Sequence, residues 1–454
     1  MNNEGCSPWL LAVIALLLLS GPLSAAAPTA ERVIEQVSQL QQAGVIAADA
    51  KLNIQVKQGN RASFQGLNHQ LKQAWEEATG VLLNIELMPQ GPAQGSLQAG
   101  SNLDLVVARN HEYPDLYDQG LILALDPLLE DLGFNLEDDQ DFFLLAKQSQ
   151  IQSGETLAVP ADGDLLLMFL RQDLLDDPEE QAAFAQAYGY PLQAPKTWQE
   201  YQDQLAFFHR PEQGLYGNVE LRDPSLAWMY WLPRYAAYLY PERPFDEQGW
   251  VWDQAAARAA TQSYLATLNT APGWINQPGT NYDLALPYFI QGKAYALPIT
   301  IAGAKLFNRS GSFIKGRYSV HPLPGVQQQQ TSARFTSLAF GNNLVIPARS
   351  EQPLLALLYA LWLTSAEVSS QAVSHPGSFV DPFRYSHLNN PAIRSVYGSA
   401  PLAALQASLP LALPAGTGLA GNDAQLQGLN DLLGQAGRQE LDLETLLEKM
   451  RERL

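Results

Sequence analysis

One apolar segment with a break in its middle constrains the fold of this chain more than any other feature. It begins as a short apolar strand, Leu157 to Pro160, stops at Ala161-Asp162-Gly163, and resumes as the apolar run Leu165 to Leu170. A strand that stops at a turn-forming sequence and restarts is typical of a chain that leaves one sheet and enters another. We therefore predict a crossing between two lobes here. The alternative is an ordinary hairpin within one sheet.

The length and the charge of the chain limit its architecture and its partners. A chain of 454 residues is too long for a single hydrophobic core, so two lobes are expected. The net charge of −19 at pH 7 argues against nucleic acid and against anionic membrane surfaces as partners. The charge does not identify a substrate.

The N-terminus is organised like an export signal. An apolar run from Pro8 to Leu19 precedes Gly21-Pro22 and a stretch of small residues that ends at Ala27. This pattern predicts a signal peptide over residues 1–26 and a periplasmic location. Residues 1–7 contain no Lys or Arg, so an uncleaved membrane anchor is the alternative.

The single cysteine, Cys6, precedes the apolar run. A cleaved protein would then contain no cysteine, need no disulfide, and be unable to hold zinc through thiolates.

The first part of the mature chain predicts an α/β lobe. After an extension over residues 27–50, whose helical stretch Glu31 to Ala43 has no readable role, the pattern predicts strands over Lys51–Lys57, Val81–Leu87 and Leu103–Ala108. A helix over Phe64–Thr79 separates the first two strands. This β-α-β-loop-β order predicts a parallel sheet with right-handed crossovers.

The second part is more helical. Thr197 is the predicted N-cap of a helix over residues 199–208, and Lys293–Ile301 is predicted as a strand that crosses back to the first lobe. Strands Tyr318–Pro322 and Ser337–Ile346 are then assigned to that lobe. The predicted division is residues 51–160 and 302–370 in lobe I, and residues 161–301 and 371–454 in lobe II.

Several motifs, taken in order, resemble bacterial extracellular solute-binding proteins of ABC importers, the family that includes maltose-binding protein. They are a strand followed by a helix ending in Gly-Leu, a hinge, a Pro-Lys-Thr-Trp-Gln-Glu-Tyr motif, a second crossing, the segment after it and a closing helix. In this sequence they are Asp104–Val107 with Tyr117–Ile122, Val159–Asp164, Pro195–Tyr201, Gly292–Ala296, Gly377–Arg384 and Gly437–Met450. The resemblance covers residues 51–454, and the extension before them departs from it.

The resemblance implies a two-lobed periplasmic-binding-protein fold of type II, with hinge strands joining the lobes and a ligand cleft between them. It implies capture of a sugar, oligosaccharide or polyol by hinge closure, delivery to the permease subunits of an ABC importer, and no chemistry on the solute. The expected protein is a monomer without a cofactor.

Aromatic side chains are the first group of candidate ligand contacts, because the apolar faces of sugars pack on aromatic rings. The segment from Trp228 to Tyr240 is dense in such rings, and Trp228, Tyr230 and Trp231 are the candidates within it. Trp274, in a loop rich in Gly and Pro, is a fourth. For each ring the alternative is a place in the hydrophobic core.

Polar residues near strand ends and crossings are the second group, because sugar hydroxyls need hydrogen-bond partners. Asn60, Arg109 and Asn110 follow predicted strands, Asp162 lies in the crossing, and Arg384 follows Pro382. The alternatives are turn-forming roles for the first three, an Asx-turn for Asp162, and a surface ion pair for Arg384.

Signatures of enzymes are weak in this sequence. The six histidines show no metal-binding spacing, and there is no nucleophile elbow. Asp162 and Asp164 leave one enzymatic alternative open, a secreted glycoside-acting enzyme that uses carboxylates in its cleft.

Overall fold

The computed structural model describes residues 27–57, 60–89, 92–99, 102–144, 146, 151–152, 154–222, 226–277, 282–327, 337–414 and 421–454. The predicted signal peptide and its alternative, the anchor, lie outside these residues. The described chain forms two compact units. Unit 1 contains the residues up to Gly163 and Gly341–Ala392, and unit 2 contains Asp164–Phe340 and Ile393–Leu454.

The described strands are short, and most belong to one of two four-stranded sheets. They are β1 Lys51–Val56, β2 Leu82–Leu87, β3 Leu105–Arg109, β4 Ile151–Gln152, β5 Glu155–Thr156, β6 Leu166–Arg171, β7 Tyr216–Asn218, β8 Phe245–Asp246, β9 Gly249–Trp250, β10 Ala294–Thr300, β11 Tyr318–His321, β12 Ser337–Ala339, β13 Asn342–Val345 and β14 Ala412–Pro414.

Helices supply most of the remaining regular structure. They are α1 Ala30–Gln42, α2 Arg61–Gln65, α3 Gln70–Thr79, α4 Ala93–Gln98, α5 Tyr113–Asp118, α6 Asp126–Leu132, α7 Gln172–Leu175, α8 Pro178–Tyr188, α9 Trp198–Phe208, α10 Ala227–Leu239, α11 Gln254–Ala266, α12 Tyr282–Ile290, α13 Gly303–Phe307, α14 Pro353–Thr364, α15 Ala366–Ser374, α16 Tyr385–Asn389, α17 Pro391–Tyr397, α18 Ser399–Ser408, α19 Asn422–Gly437 and α20 Leu443–Arg453. Short 3₁₀ turns lie at Leu67–His69, Asn110–Glu112, Pro211–Gln213, Thr267–Thr270 and Leu409–Leu411.

The sheet of unit 1 has the strand order β13-β3-β1-β2. Strand β1 pairs in parallel with both β2 and β3, which is the parallel arrangement that the sequence predicts. Strand β13 runs antiparallel to β3, with Asn342 opposite Arg109. The carboxyl ends of β1 and β3 and the start of β13 therefore lie at the same edge of this sheet.

The helix predicted over Phe64–Thr79 is broken in the structure. Gly66, Asn68 and His69 have φ angles of 72°, 51° and 64°. Positive φ interrupts an α-helix, because left-handed residues cannot continue its right-handed ladder. The apolar spacing correctly predicted helical structure in this segment. Gly66 was the single residue in its sequence that strongly indicated an interruption.

The N-terminal extension is an integral part of unit 1. Helix α1 packs against α14, and its apolar face of Val33, Val37 and Leu40 is buried. The Arg32 guanidinium lies over the Phe134 ring at 5.0 Å and donates to the Gly133 carbonyl at 3.3 Å. The extension therefore covers the apolar helix α14, a role that its sequence did not reveal.

The sheet of unit 2 has the order β11-β6-β10-β7. Strand β10 pairs antiparallel with β6 and parallel with β7, and β11 pairs antiparallel with β6. All residues of β6 and β10 are buried, as expected for central strands with both faces covered. The apolar run after Asp162 is thus a central strand of the second sheet.

The chain passes from one unit to the other at positions that differ from the predicted division. The predicted strand Lys293–Ile301 does not cross back, because it is β10 in the middle of the unit 2 sheet. The predicted first-lobe strand Tyr318–Pro322 is β11 of that same sheet. Residues 302–340 therefore lie in unit 2, and residues 371–392 lie in unit 1.

The predicted strand Ser337–Ile346 is in fact two strands in two sheets. Strand β12 pairs with β14 in unit 2, whereas β13 pairs with β3 in unit 1. The chain changes units between Phe340 and Gly341. A Cβ atom on Gly341 would lie 2.8 Å from the Asp162 carbonyl oxygen, so close backbone contact requires glycine there.

No single helix among the described residues is long and apolar enough to cross a membrane. The consecutive helices α14 and α15 pass that test only as a pair, and they are bent by 65° at their junction.

Candidate functional site

The carboxyl edge of the unit 1 sheet gathers most of the predicted polar residues. Asn60 lies in the turn after β1, and Arg109 and Asn110 lie at the end of β3. Asp162 bonds to Asn342 at the start of β13. In open parallel sheets, ligands meet the loops at the carboxyl ends of strands, so we call this group the polar edge of unit 1.

Asp162 is buried, at 4% exposure, and its carboxylate accepts hydrogen bonds from residues distant in sequence. The Asp381 amide N–H donates to Asp162 Oδ1 at 2.9 Å, and the Asn342 amide N–H donates to Oδ2 at 3.3 Å. An Asx-turn would instead use an amide two residues ahead. The carboxylate therefore connects separate segments of unit 1 rather than closing a local turn.

The Asp162 carboxyl group has an unusual acidity. Burial raises its pKa to about 7, and the nearby carboxyl group of Asp381, which is also buried, acts in the same direction. Hydrogen bonds from Asp381 and Asn342 oppose this shift only partly. The carboxyl group therefore keeps its proton to a higher pH than an ordinary aspartate, and in that form it can donate as well as accept a hydrogen bond.

Asn343 fixes the backbone on the other side of Asp162. Its Oδ1 accepts the amide N–H of Ala161 at 2.8 Å and that of Asp162 at 3.2 Å. A Cβ atom on Gly163 would lie only 1.9 Å from the Pro382 carbonyl oxygen. The stretch that the sequence marked as a crossing is thus held on both sides by close polar and backbone contacts.

Two amide side chains at the polar edge have acceptors without partners. Asn110 is buried, at 7% exposure, and its Oδ1 has no hydrogen-bond partner among the described residues. The same holds for Asn342 Oδ1 within that part of the chain. A buried polar group left unpaired costs about 1–3 kcal/mol, so these two oxygens mark where a donor group could bind.

The remaining residues at the polar edge shape its charge. Burial lowers the pKa of His111 to about 3, so its ring is neutral at physiological pH. Lys57 Nζ lies 3.7 Å from Glu112 Oε1, and the Arg109 amide N–H donates to Glu112 Oε2 at 3.0 Å. The positive charge of Lys57 thus faces Glu112, and no cation among the described residues is hydrogen-bonded to Asp162.

The predicted aromatic residues lie in unit 2 and are used for packing. Helix α10 contains Trp228, Tyr230 and Trp231, all buried. Trp231 stacks on Tyr235 with ring centroids 4.7 Å apart, and its Nε1–H donates to Thr261 Oγ1 at 2.9 Å. The Tyr230 hydroxyl donates to the Pro298 carbonyl at 3.3 Å. The structure therefore places these rings in the hydrophobic core, which was the alternative to a role in ligand binding.

Trp274 and Arg384 have defined contacts within their own units. Trp274 is half-buried in a turn of unit 2, and its ring centroid lies 4.8 Å from that of Tyr288. Arg384 is buried in unit 1, lies 3.7 Å over the Phe142 ring, and pairs with Asp139 at 2.8 Å. The ion pair foreseen as the alternative for Arg384 exists, but it is buried rather than at the surface.

The sequence pattern of the bacterial extracellular solute-binding protein family matches residues 70–395, more than half of the chain. The chain belongs to this family. No curated protein matches the sequence significantly.

Solved structures show the fold of this solute-binding protein. The maltose-bound protein MalE3 of T. maritima matches with a TM-score of 0.72 and 19% identity, over 89% of this chain and 99% of that one. A ribitol complex of a solute-binding protein from Agrobacterium radiobacter matches with a TM-score of 0.68 and 19% identity, over 89% and 97%. A cycloalternan complex from Listeria monocytogenes matches with a TM-score of 0.69 and 13% identity, over 89% and 98%.

These matches confirm the predicted fold class, the two-lobed type II periplasmic-binding-protein fold, and the predicted family. The family and the structural neighbours are binding proteins of ABC transporters rather than enzymes. Among the described residues, no cluster of three or more His, Cys, Asp or Glu side chains could hold a metal ion.

The sequence analysis missed three residues at the polar edge of this binding protein: Asn342, Asn343 and Asp381. A usable signal existed for two of them, because two consecutive asparagines are rare inside a strand. Asp381 had no such signal, since it lies 219 residues from the Asp162 side chain to which its amide bonds.

Proposed function

We propose that this protein is the solute-binding component of an ABC importer, that it captures a sugar, oligosaccharide or polyol in the periplasm by hinge closure, and that it delivers the solute unaltered to the permease. The proposal includes a cleaved signal peptide over residues 1–26 and a monomeric working form.

The observation that carries the carbohydrate part is the polar edge of unit 1. It combines the carboxyl group of Asp162 with amide oxygens on Asn110 and Asn342 to which no described residue donates a hydrogen bond. Sugar and polyol hydroxyl groups donate and accept hydrogen bonds, and therefore fit such an array. Bound sugars and polyols in the structural neighbours, among them maltose, ribitol and mannitol, support the same class of solute.

The test is calorimetric titration of the mature protein with a panel of maltose, D-glucose, D-tagatose, D-mannitol and ribitol. We expect at least one of these to bind, and we expect Asp162→Asn to weaken that binding at least tenfold, about 1.4 kcal/mol. The matched control is Asp118→Asn, an exposed aspartate in helix α5 of the same unit. Equal affinity in both variants would contradict the role of Asp162.

The same samples test the enzymatic alternative. A binding protein leaves every glycoside in the panel intact on prolonged incubation, whereas a glycoside-acting enzyme releases products and loses turnover in Asp162→Asn. N-terminal sequencing of periplasmic protein tests export, with an expected start between residues 26 and 28. Light scattering tests the monomeric form.

A further inference from the structure

One segment of unit 1 presents a single large apolar ring to solvent. Every residue from Ser378 to Arg384 is buried except Phe379, whose side chain is 45% exposed. Its ring has no aromatic or cationic partner among the described residues. An exposed phenylalanine is common on protein surfaces, so its meaning depends on how it is held and on what lies beside it.

The backbone on both sides of Phe379 is anchored. Ser378 Oγ lies 2.6 Å from Ser63 Oγ, and the Val380 amide N–H donates to Ser378 Oγ at 3.1 Å. Two residues further on, the Asp381 amide N–H donates to Asp162 Oδ1. The ring therefore projects from a backbone whose position is fixed over four consecutive residues.

Those anchors place Phe379 at the polar edge of unit 1. Ser63 lies in helix α2, which follows β1 at that edge, and Asp162 bonds to the first residue of β13 there. The buried Oδ1 of Asn110, which has no partner within the described chain, belongs to the same edge. The residue that bears the exposed ring and the hydrogen-bonding groups thus belong to segments that meet at one edge of the sheet.

This combination distinguishes two classes of solute that the proposed function leaves together. A cyclic sugar has a face of C–H groups that packs on an aromatic ring, while its hydroxyl groups point to the sides. An acyclic polyol has hydroxyl groups along its whole length and no such rigid face. We propose that Phe379 is a ring on which a cyclic sugar stacks, so that the protein prefers cyclic sugars to acyclic polyols. This inference rests on the proposed function.

The experiment compares Phe379→Ala with Phe313→Ala by calorimetric titration of cyclic sugars (maltose, D-glucose) and acyclic polyols (D-mannitol, ribitol). Phe313 is the matched control because it is 46% exposed, but it lies in unit 2 beside the Arg317 guanidinium at 4.4 Å. We expect wild-type protein to bind a cyclic sugar more tightly than either polyol. Phe379→Ala should weaken that binding about tenfold, as expected for one aromatic stacking contact, while Phe379→Trp and Phe313→Ala should leave it within about twofold.

Each result bears on the inference. Unchanged sugar affinity in Phe379→Ala, or tighter wild-type binding of a polyol than of any sugar, would overturn it while leaving the proposed function intact. Absence of binding to the whole panel would overturn the proposed function and this inference together. Thermal unfolding of Phe379→Ala should match wild type, because an exposed ring contributes little to the core, and a lower melting temperature would attribute the loss to folding instead and count against the inference.

Discussion

Asp162 in unit 1 and Glu220 in unit 2 are both buried carboxylates, but their surroundings differ in charge. Glu220 lies between two arginines, with Arg222 Nη1 and Arg234 Nη2 each 2.9 Å from its oxygens. Burial alone would raise the pKa of Glu220, but the two guanidinium groups outweigh burial and hold its pKa below the ordinary value. Asp162 has amides and a second carboxyl group around it instead, and its pKa is raised.

The difference separates a carboxylate that stabilises the fold from the carboxyl group that we propose binds the solute. The arginines around Glu220 also lie over aromatic rings, Arg234 over Trp198 at 4.1 Å and Arg222 over Tyr264 at 3.8 Å. This ionic and aromatic cluster is part of the unit 2 core. Among the described residues no cation compensates the charge of Asp162, so a solute hydroxyl could add a hydrogen bond there without displacing a structural partner.

The largest effect that the comparison predicts is on folding stability. Glu220→Gln leaves two buried arginines without their counter-charge, so we expect the free energy of unfolding to fall by roughly 3–5 kcal/mol. Urea unfolding followed by circular dichroism measures it. The control is Glu444→Gln, which removes the partner of exposed Arg258 and should change stability little. If Glu220→Gln and Glu444→Gln lower the free energy of unfolding by the same small amount, the Glu220 cluster does not stabilise the fold as inferred.

The second prediction concerns pH. Between about pH 4 and pH 7 Asp162 is ionised in the unfolded chain but still protonated in the folded protein. The folded state then binds more protons, so this group makes the free energy of unfolding fall as the pH rises. Asp162→Asn removes that contribution, so the stability of the variant relative to wild type should increase with pH over this window, by at most about 1.4 kcal/mol per pH unit.

Urea unfolding at several pH values from 4 to 8 measures this difference. Asp381 and the Tyr113 hydroxyl are the other titratable groups that face Asp162, and both remain in the variant. Glu220 acts with the opposite sign and in another window, since its stabilisation is present above its unfolded-state pKa of about 4.5 and is lost as the pH falls below it. A difference between variant and wild type that is constant with pH would contradict the raised pKa of Asp162.

The third prediction, with the smallest expected effect, compares the stability cost of replacing two buried asparagines. Asn218 in unit 2 donates from Nδ2 to the Thr267 carbonyl and Thr270 Oγ1, each at 2.9 Å, and its Oδ1 accepts the Glu220 amide N–H at 3.0 Å. Asn218→Ala should therefore cost about 1–3 kcal/mol of stability. In the described part of the chain Asn110 has no such side-chain hydrogen bonds, so Asn110→Ala should cost less than about 1 kcal/mol and instead weaken solute binding.

Thermal unfolding and calorimetric titration of both asparagine variants check this pair. The contrast fails if Asn110→Ala is as destabilising as Asn218→Ala, because Asn110 would then have a structural role that its unpartnered oxygen does not suggest.

Local patterns in the sequence determined several strands and helix ends of this protein and the position of its crossing. The alternation in β1, the N-cap at Thr197, which accepts the Glu200 amide N–H at 3.1 Å, and the break at Ala161-Asp162-Gly163 all depend on neighbouring residues. The order of its motifs also identified the family and the two-lobed fold. Such features are local because helix caps, strand periodicity and turn residues act over a few positions.

Tertiary structure alone decided which sheet each late strand joins and which polar groups share the site. Strands β12 and β13 follow one another in sequence yet pair in different sheets, and no local pattern distinguishes them. Hydrogen bonds that span up to 219 residues join Asp162 to Asn342 and Asp381, and Asn342 lies opposite Arg109 in the sheet. For the aromatic segment, too, the sequence left two possibilities open, a ligand contact or a place in the core. The packing partners of Trp231 in unit 2 show that this ring lies in the core.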